Sequence, residues 1–109
     1  MAQLALNRFQ TETLVVTTAD QTVYTAPTGY TAIVLYAHVT NISSSAASFT
    51  MSHVRSSTTT EIVKDATVPP SDAFIPLDGK LVETSDSIKI SASANSSLKL
   101  ILSVLETAT

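Results

Sequence analysis

The apolar residues of this chain recur at every second position in nearly every stretch, and no stretch carries a convincing 3.6-residue period. "SFTMSHV" puts Phe49, Met51 and His53 on one side, with Thr50 and Ser52 on the other. "DSIKISAS" alternates Ile88, Ile90 and Ala92 with Ser87, Lys89 and Ser91. "SLKLILSVLE" lines Leu98, Leu100, Leu102 and Val104 along one face. Side chains that change face at each residue define strands. An apolar row beside a polar row defines a strand buried on one face only.

Turn residues separate these runs. Ala19-Asp20-Gln21 divides "TLVVTT" from "TVYTA". Pro27-Thr28-Gly29 suits a type I turn with Pro second and Gly fourth. Asn41 to Ala47 reads as a small polar loop, and Asn95-Ser96 closes the last pair of strands. Pro69-Pro70-Ser71-Asp72 stops a central strand, because Pro has no ladder donor. Asp78-Gly79 is a two-residue hairpin signal. The expected strands are 4–9, 11–18, 21–25, 31–41, 48–55, 60–68, 73–77, 80–84, 87–93 and 97–106. The fold they predict is all-β: a single-domain antiparallel β-sandwich, jelly-roll-like, of about eight to ten short strands. Residues 11–109 form that domain. Residues 1–10 read as an N-terminal arm, since Leu4, Leu6 and Phe9 do not share a clean strand face.

"PTGYTAIVLYAHVTN" departs from the pattern. Ile33, Leu35, Ala37 and Val39 form one row, which is expected to be core. Val34, Tyr36 and His38 form the other, and none of them is a usual solvent-facing residue. That row is either covered within the domain or meets another chain. The expected interaction residues are therefore Val34, Tyr36 and His38 as a contact face, with Leu4, Leu6 and Phe9 as an anchoring arm.

Composition narrows the function. Charged residues make up 14% of the 109 residues, against about 25% in an ordinary domain. Seventeen Thr and fifteen Ser supply polarity without charge. The net charge is −3 and the six basic residues are scattered, so neither nucleic acid nor an anionic membrane is an expected partner. The longest apolar run, Tyr30 to Val39, contains His38 and is about half the ~20 residues a spanning helix needs. Asn7 and Arg8 interrupt the start before a signal-peptide core can form. There is no Cys, which excludes thiol catalysis and Cys-based zinc sites. His38 and His53 read as packed or hydrogen-bonded strand residues rather than metal ligands. Asp65, Asp72, Asp78 and Asp86 read as turn residues that bond local backbone N–H groups. With only Gly29 and Gly79, no phosphate-cradling loop is available, and no GxSxG occurs. The two Asn-x-Ser triplets, at Asn41 and Asn95, read as loops. No catalytic residue, cofactor or metal is expected.

Several segments together resemble a known family. "VYTAPTGYTAIVLYAHVTNISSSAASFTMSHV", then "EIVKDATVPPSDAF", "GKLVETSDSIKISAS" and "SLKLILSVLE" resemble, in the same order, small structural virion proteins of tailed bacteriophages, including phages of aquatic bacteria. The resemblance covers roughly residues 23 to 106. It implies a non-enzymatic building block of the phage particle: a capsid decoration or head-fibre component, or alternatively a tail, neck or baseplate protein, or a receptor- or glycan-binding fibre module. The implied partners are copies of itself, a trimer first, and other virion proteins such as the major capsid or tail proteins. The implied location is the virion, after synthesis in the host cytoplasm. Relatives commonly carry Gly-Asp where this chain has Ser85-Asp86, so a slightly different turn is expected there.

Overall fold

The computed structural model describes residues 7–77 and 79–108. Nine strands follow in order: β1 (Asn7–Val15), β2 (Gln21–Thr25), β3 (Tyr30–Asn41), β4 (Ala47–Arg55), β5 (Thr58–Val68), β6 (Ala73–Leu77), β7 (Lys80–Val82), β8 (Ser87–Ala92) and β9 (Leu98–Ala108). Their pairing is nested. β4 pairs with β5, β3 with β6 and β7, β2 with β8, and β1 with β9, all antiparallel. The chain behaves as one long hairpin folded over on itself. Further pairing of β3 with β9 and of β4 with β8 closes two sheets. The first runs β1-β9-β3-β6, with β7 beside β3, and the second runs β2-β8-β4-β5. This is the jelly-roll form of the expected β-sandwich.

The alternation seen in β4, β8 and β9 is borne out. Phe49, Met51, Ile88, Ile90, Leu98, Leu100, Leu102 and Val104 are all buried between the sheets. At the open edge the ring of Phe74 meets that of Phe49 edge-on, with centroids 5.7 Å apart. Burying a side chain of this size stabilises the fold by roughly 1.5–3 kcal/mol relative to exposure.

β3 departs from simple alternation. Val34 pairs with Val104, yet Tyr36 pairs with the adjacent Ser103. Leu35 is the extra residue of a β-bulge, which shifts the phase of the strand. Before the bulge the inward residues are Ala32 and Val34; after it they are Ala37, Val39 and Asn41. Ile33 and Leu35 are therefore exposed rather than core.

The break falls opposite the junction of β6 and β7, where Asp78-Gly79 is expected to form a hairpin; Asp78 lies outside the described residues, but β6 and β7 do not pair with each other. β6 and β7 both lie antiparallel to β3 and form one interrupted edge strand. At the interruption the Gly79 N–H donates to the Val34 carbonyl at 2.7 Å, with φ +82° at Gly79.

Two other turns differ from expectation. The Tyr30 N–H donates to the Pro27 carbonyl, so Pro27 is first in its turn and Gly29 third, at φ +86°. That is the type II position that favours Gly. Ser85 takes φ 71° and the Asp86 N–H donates to the Glu83 carbonyl. The turn expected at Ser85 is thus a positive-φ one formed without Gly, beside an Asp86 side chain held by Arg55, His53 and the Glu83 N–H. The N-terminal boundary also moves. Residues 7–10 are not an arm but the start of β1, continuous with what had read as a second strand.

The β4–β5 turn holds Ser56 at φ 50° and Ser57 at φ 67°. Two consecutive positive-φ residues form the hairpin turn that Asn-Gly fits without strain. Ser56→Asn combined with Ser57→Gly should raise stability by about 1 kcal/mol. Urea unfolding checks this, and a lower midpoint would contradict the turn geometry.

Candidate interaction surface

The outward side of the first sheet is built of rungs across β1, β9 and β3. Phe9, Leu105 and Ile33 share one rung; Thr11, Ser103 and Tyr36 the next; Thr13, Ile101 and His38 the third; Val15, Lys99 and Thr40 the fourth. Lys99 is the one charged residue among these twelve. Phe9 is 75% exposed and Tyr36 39%, and Val15, Ile33, Leu35 and Ile101 are also exposed. The second sheet shows the ordinary pattern. Its outward rungs on β2, β8 and β4 include Thr22 with Lys89, and Ser91 with Thr50; Ser52, opposite Lys89, is on the same row but buried. The first sheet's outward side thus carries exposed Phe9, Val15, Ile33, Tyr36 and Ile101 among Thr and Ser, whereas that of the second is mainly hydroxyl-bearing.

The sequence-derived site residues divide. Tyr36 and His38 lie on the outward face, and the His38 Nδ1 is 3.2 Å from the Thr40 hydroxyl. Phe9 is there too, but as a strand residue opposite Leu105. Val34 is corrected: it is 0% exposed and points into the core, because the bulge at Leu35 exchanges the faces. Ile33 takes its place. Leu4 and Leu6 lie outside the described residues.

Two buried polar clusters were not read from the sequence. The first joins the sheets. Glu106 is inward on β9 and only 2% exposed. Its Oε1 accepts from Arg8 Nε at 2.5 Å and its Oε2 from the Tyr24 hydroxyl at 2.5 Å. The Arg8 guanidinium also stacks 4.1 Å above the Tyr30 ring. Burial and the neighbouring Glu106 carboxylate push the Tyr24 hydroxyl far up, so it remains a donor. Arg8 is raised by its bond to Glu106. β1, β9 and β2 are thus tied at one point.

The second cluster centres on Asp86, also buried. Arg55 donates to its carboxylate through Nε and Nη2, at 3.1 and 2.9 Å to Oδ2. His53 Nε2 lies 3.0 Å from the same oxygen and the Glu83 N–H 3.2 Å away. An ionised carboxylate only accepts, so His53 carries a proton on Nε2. Arg55 Nη2 also pairs with Glu83 at 2.6 Å. His38 and His53 therefore sit in different sheets with separate partners. Among the described residues no cluster suited to a metal occurs, and no buried side-chain polar atom lacks a partner.

Asn41 closes β3 in a comparable way. Its Nδ2 donates to the Ser45 and Val68 carbonyls, and its Oδ1 accepts from Ser43. The residue is fully buried, so the triplet at Asn41 is a structural loop anchor.

Neither family models nor curated proteins match this chain. Several solved structures share its fold, among them the following three. A protein of the Bacillus endospore appendages, a family of disulfide-linked pili, aligns at TM-score 0.59 and 10% identity, over 99% of this chain and 96% of its own. A protein of the acid-stable capsid of Helicobacter pylori bacteriophage KHP30 aligns at 0.57 and 9% identity, over 94% and 88%. A protein of the T13 IBDV viral particle aligns at 0.59 and 10% identity, over 95% of this chain but 31% of its own. This chain thus spans about a third of that last one.

The Asp86 cluster predicts a pH dependence. Arg55 first, then His53 and the Glu83 N–H, hold the Asp86 carboxyl below its usual range against the opposing effect of burial. A carboxylate depressed in the folded state stabilises fully above its unfolded value of about 3.9 and loses that contribution as pH falls through the folded value. Asp86→Asn should therefore destabilise most near neutrality, and the gap to the parent should shrink below about pH 4. Urea unfolding across that range checks it; a constant gap would contradict the assignment.

Proposed function

We propose that this chain is a non-enzymatic structural subunit of a phage virion, a capsid decoration or head-fibre component that associates through the outward face of its first sheet. The observation that carries this reading is the charge-poor face of Phe9, Ile33, Tyr36, Ile101 and Leu105. A free monomer gains nothing from exposing such a face, whereas a subunit buries it against a neighbour. Its partners are copies of the same chain and other virion proteins such as the major capsid protein.

Three further points support the reading. The segments that resemble small tailed-phage virion proteins follow in order over roughly residues 23 to 106. Chains of the same fold occur in a phage capsid, a viral particle and a pilus. Both buried polar clusters have their acceptors occupied by donors from the same chain, which suits structural ties better than a reaction centre.

Light scattering over a wide concentration range tests the proposal. The parent chain should assemble into species larger than the monomer. Tyr36→Lys and Ile33→Lys should each shift it toward monomer with the fold intact, since a charge would have to be desolvated at the contact. Val34→Lys should unfold the chain, because Val34 is core. A parent that is monomeric throughout, alone and with empty phage heads, would overturn the proposal.

A further inference from the structure

The outward face of the first sheet ends in an apolar groove of about 540 Å³. It lies where β1 and β3 finish and β9 begins, and Val15, Ile42, Lys99, Leu100 and Ile101 are among the residues that line it. Val15 is 47% exposed and Ile42 54%, so the described chain leaves it open. Clefts of roughly 300–1,000 Å³ are large enough to enclose a small ligand or a pair of side chains from a short segment.

The groove and the chain's own start are at opposite ends of the sheet. Asn7 pairs with Thr107, and Val15 pairs with Lys99. Eight strand steps of about 3.3 Å separate Asn7 from Val15, or about 26 Å. Leu4 is three residues before Asn7 and can lie no more than about 11 Å from it. Leu4 therefore cannot enter the groove of its own copy.

We propose that Leu4 and Leu6 of one copy occupy this groove on a second copy. The inference rests on the assembly reading above and names the contact that orders it. Residues 2–6 carry no charged side chain, so burying Leu4 and Leu6 takes no side-chain charge out of water. Leu4 and Leu6 are two apart, and an extended chain sends both side chains to one side. Donor and acceptor are different patches at opposite ends of one sheet. Such a heterologous contact repeats head to tail and closes a ring or continues as a filament, rather than forming a two-fold dimer.

The absence of Cys makes the test clean. Full-length Leu4→Cys and Ile42→Cys chains are mixed under assembling conditions and oxidised. A disulfide joining one chain of each kind is expected, and it should be lost when Thr22→Cys, on the outward side of the second sheet, replaces Ile42→Cys. The double change Leu4→Ser with Leu6→Ser should weaken association at least about tenfold with the circular dichroism unchanged. Equal cross-linking to both positions, or unaltered association of the Ser variant, would overturn the inference. If Tyr36→Lys still disassembles the protein in that case, the arm contact falls and the outward-face reading stands. If the parent is monomeric throughout, both fall.

Discussion

β9 lies between β1 and β3 and is hydrogen-bonded to both along nearly its whole length, so its register is set twice over. A slip of one residue would turn Leu98, Leu100, Leu102 and Val104 to solvent and drive Lys99 into the core. β9 stays in phase, and β3 takes up the mismatch with the extra residue at Leu35. The same bulge meets the break between β6 and β7, where the Gly79 N–H satisfies the Val34 carbonyl. One backbone irregularity thus decides which side chains of β3 reach the surface. It exports Ile33 and Tyr36 and keeps Val34 inside.

What could be read from the sequence follows from contrast along each strand. β4, β8 and β9 set apolar residues against Ser, Thr and Lys, so period and face were both legible. The jelly-roll class followed from many short strands and frequent turns. β3 is apolar on both rows, and an inserted residue there changes the phase without changing the composition. Counting by twos from Ile33 therefore placed Val34 on the wrong face, while Tyr36 and His38, beyond the bulge, came out correctly. The start of β1 was obscured for a different reason. Arg8 belongs to the inward row with Gln10 and Glu12, which is half-buried at a sheet edge and hardly apolar.

The two polar clusters needed contacts across the chain. Arg8 and Glu106 are 98 residues apart, and Tyr24 and Glu106 are 82 apart. One local signal did exist: Glu106 falls in phase with Leu98 to Val104, so an acid stood on an inward row. An inward acid requires donors to offset its desolvation, and Arg8 and Tyr24 supply them. Asp86 had the look of a turn residue, and it is one, since it accepts from the Glu83 N–H. Its bonds to Arg55 and His53 also hold Ser85 at positive φ without Gly.

On the proposed assembly the two outward sheet faces differ in kind, one for solvent and one for a neighbouring subunit. Hydroxyl-radical footprinting of the assembled and the dilute protein tests that difference most directly. Phe9 and Tyr36 should become protected together on assembly, while Val54, on the outward side of the second sheet, should label equally in both states. Equal labelling of Phe9 and Tyr36 in both states would contradict the account.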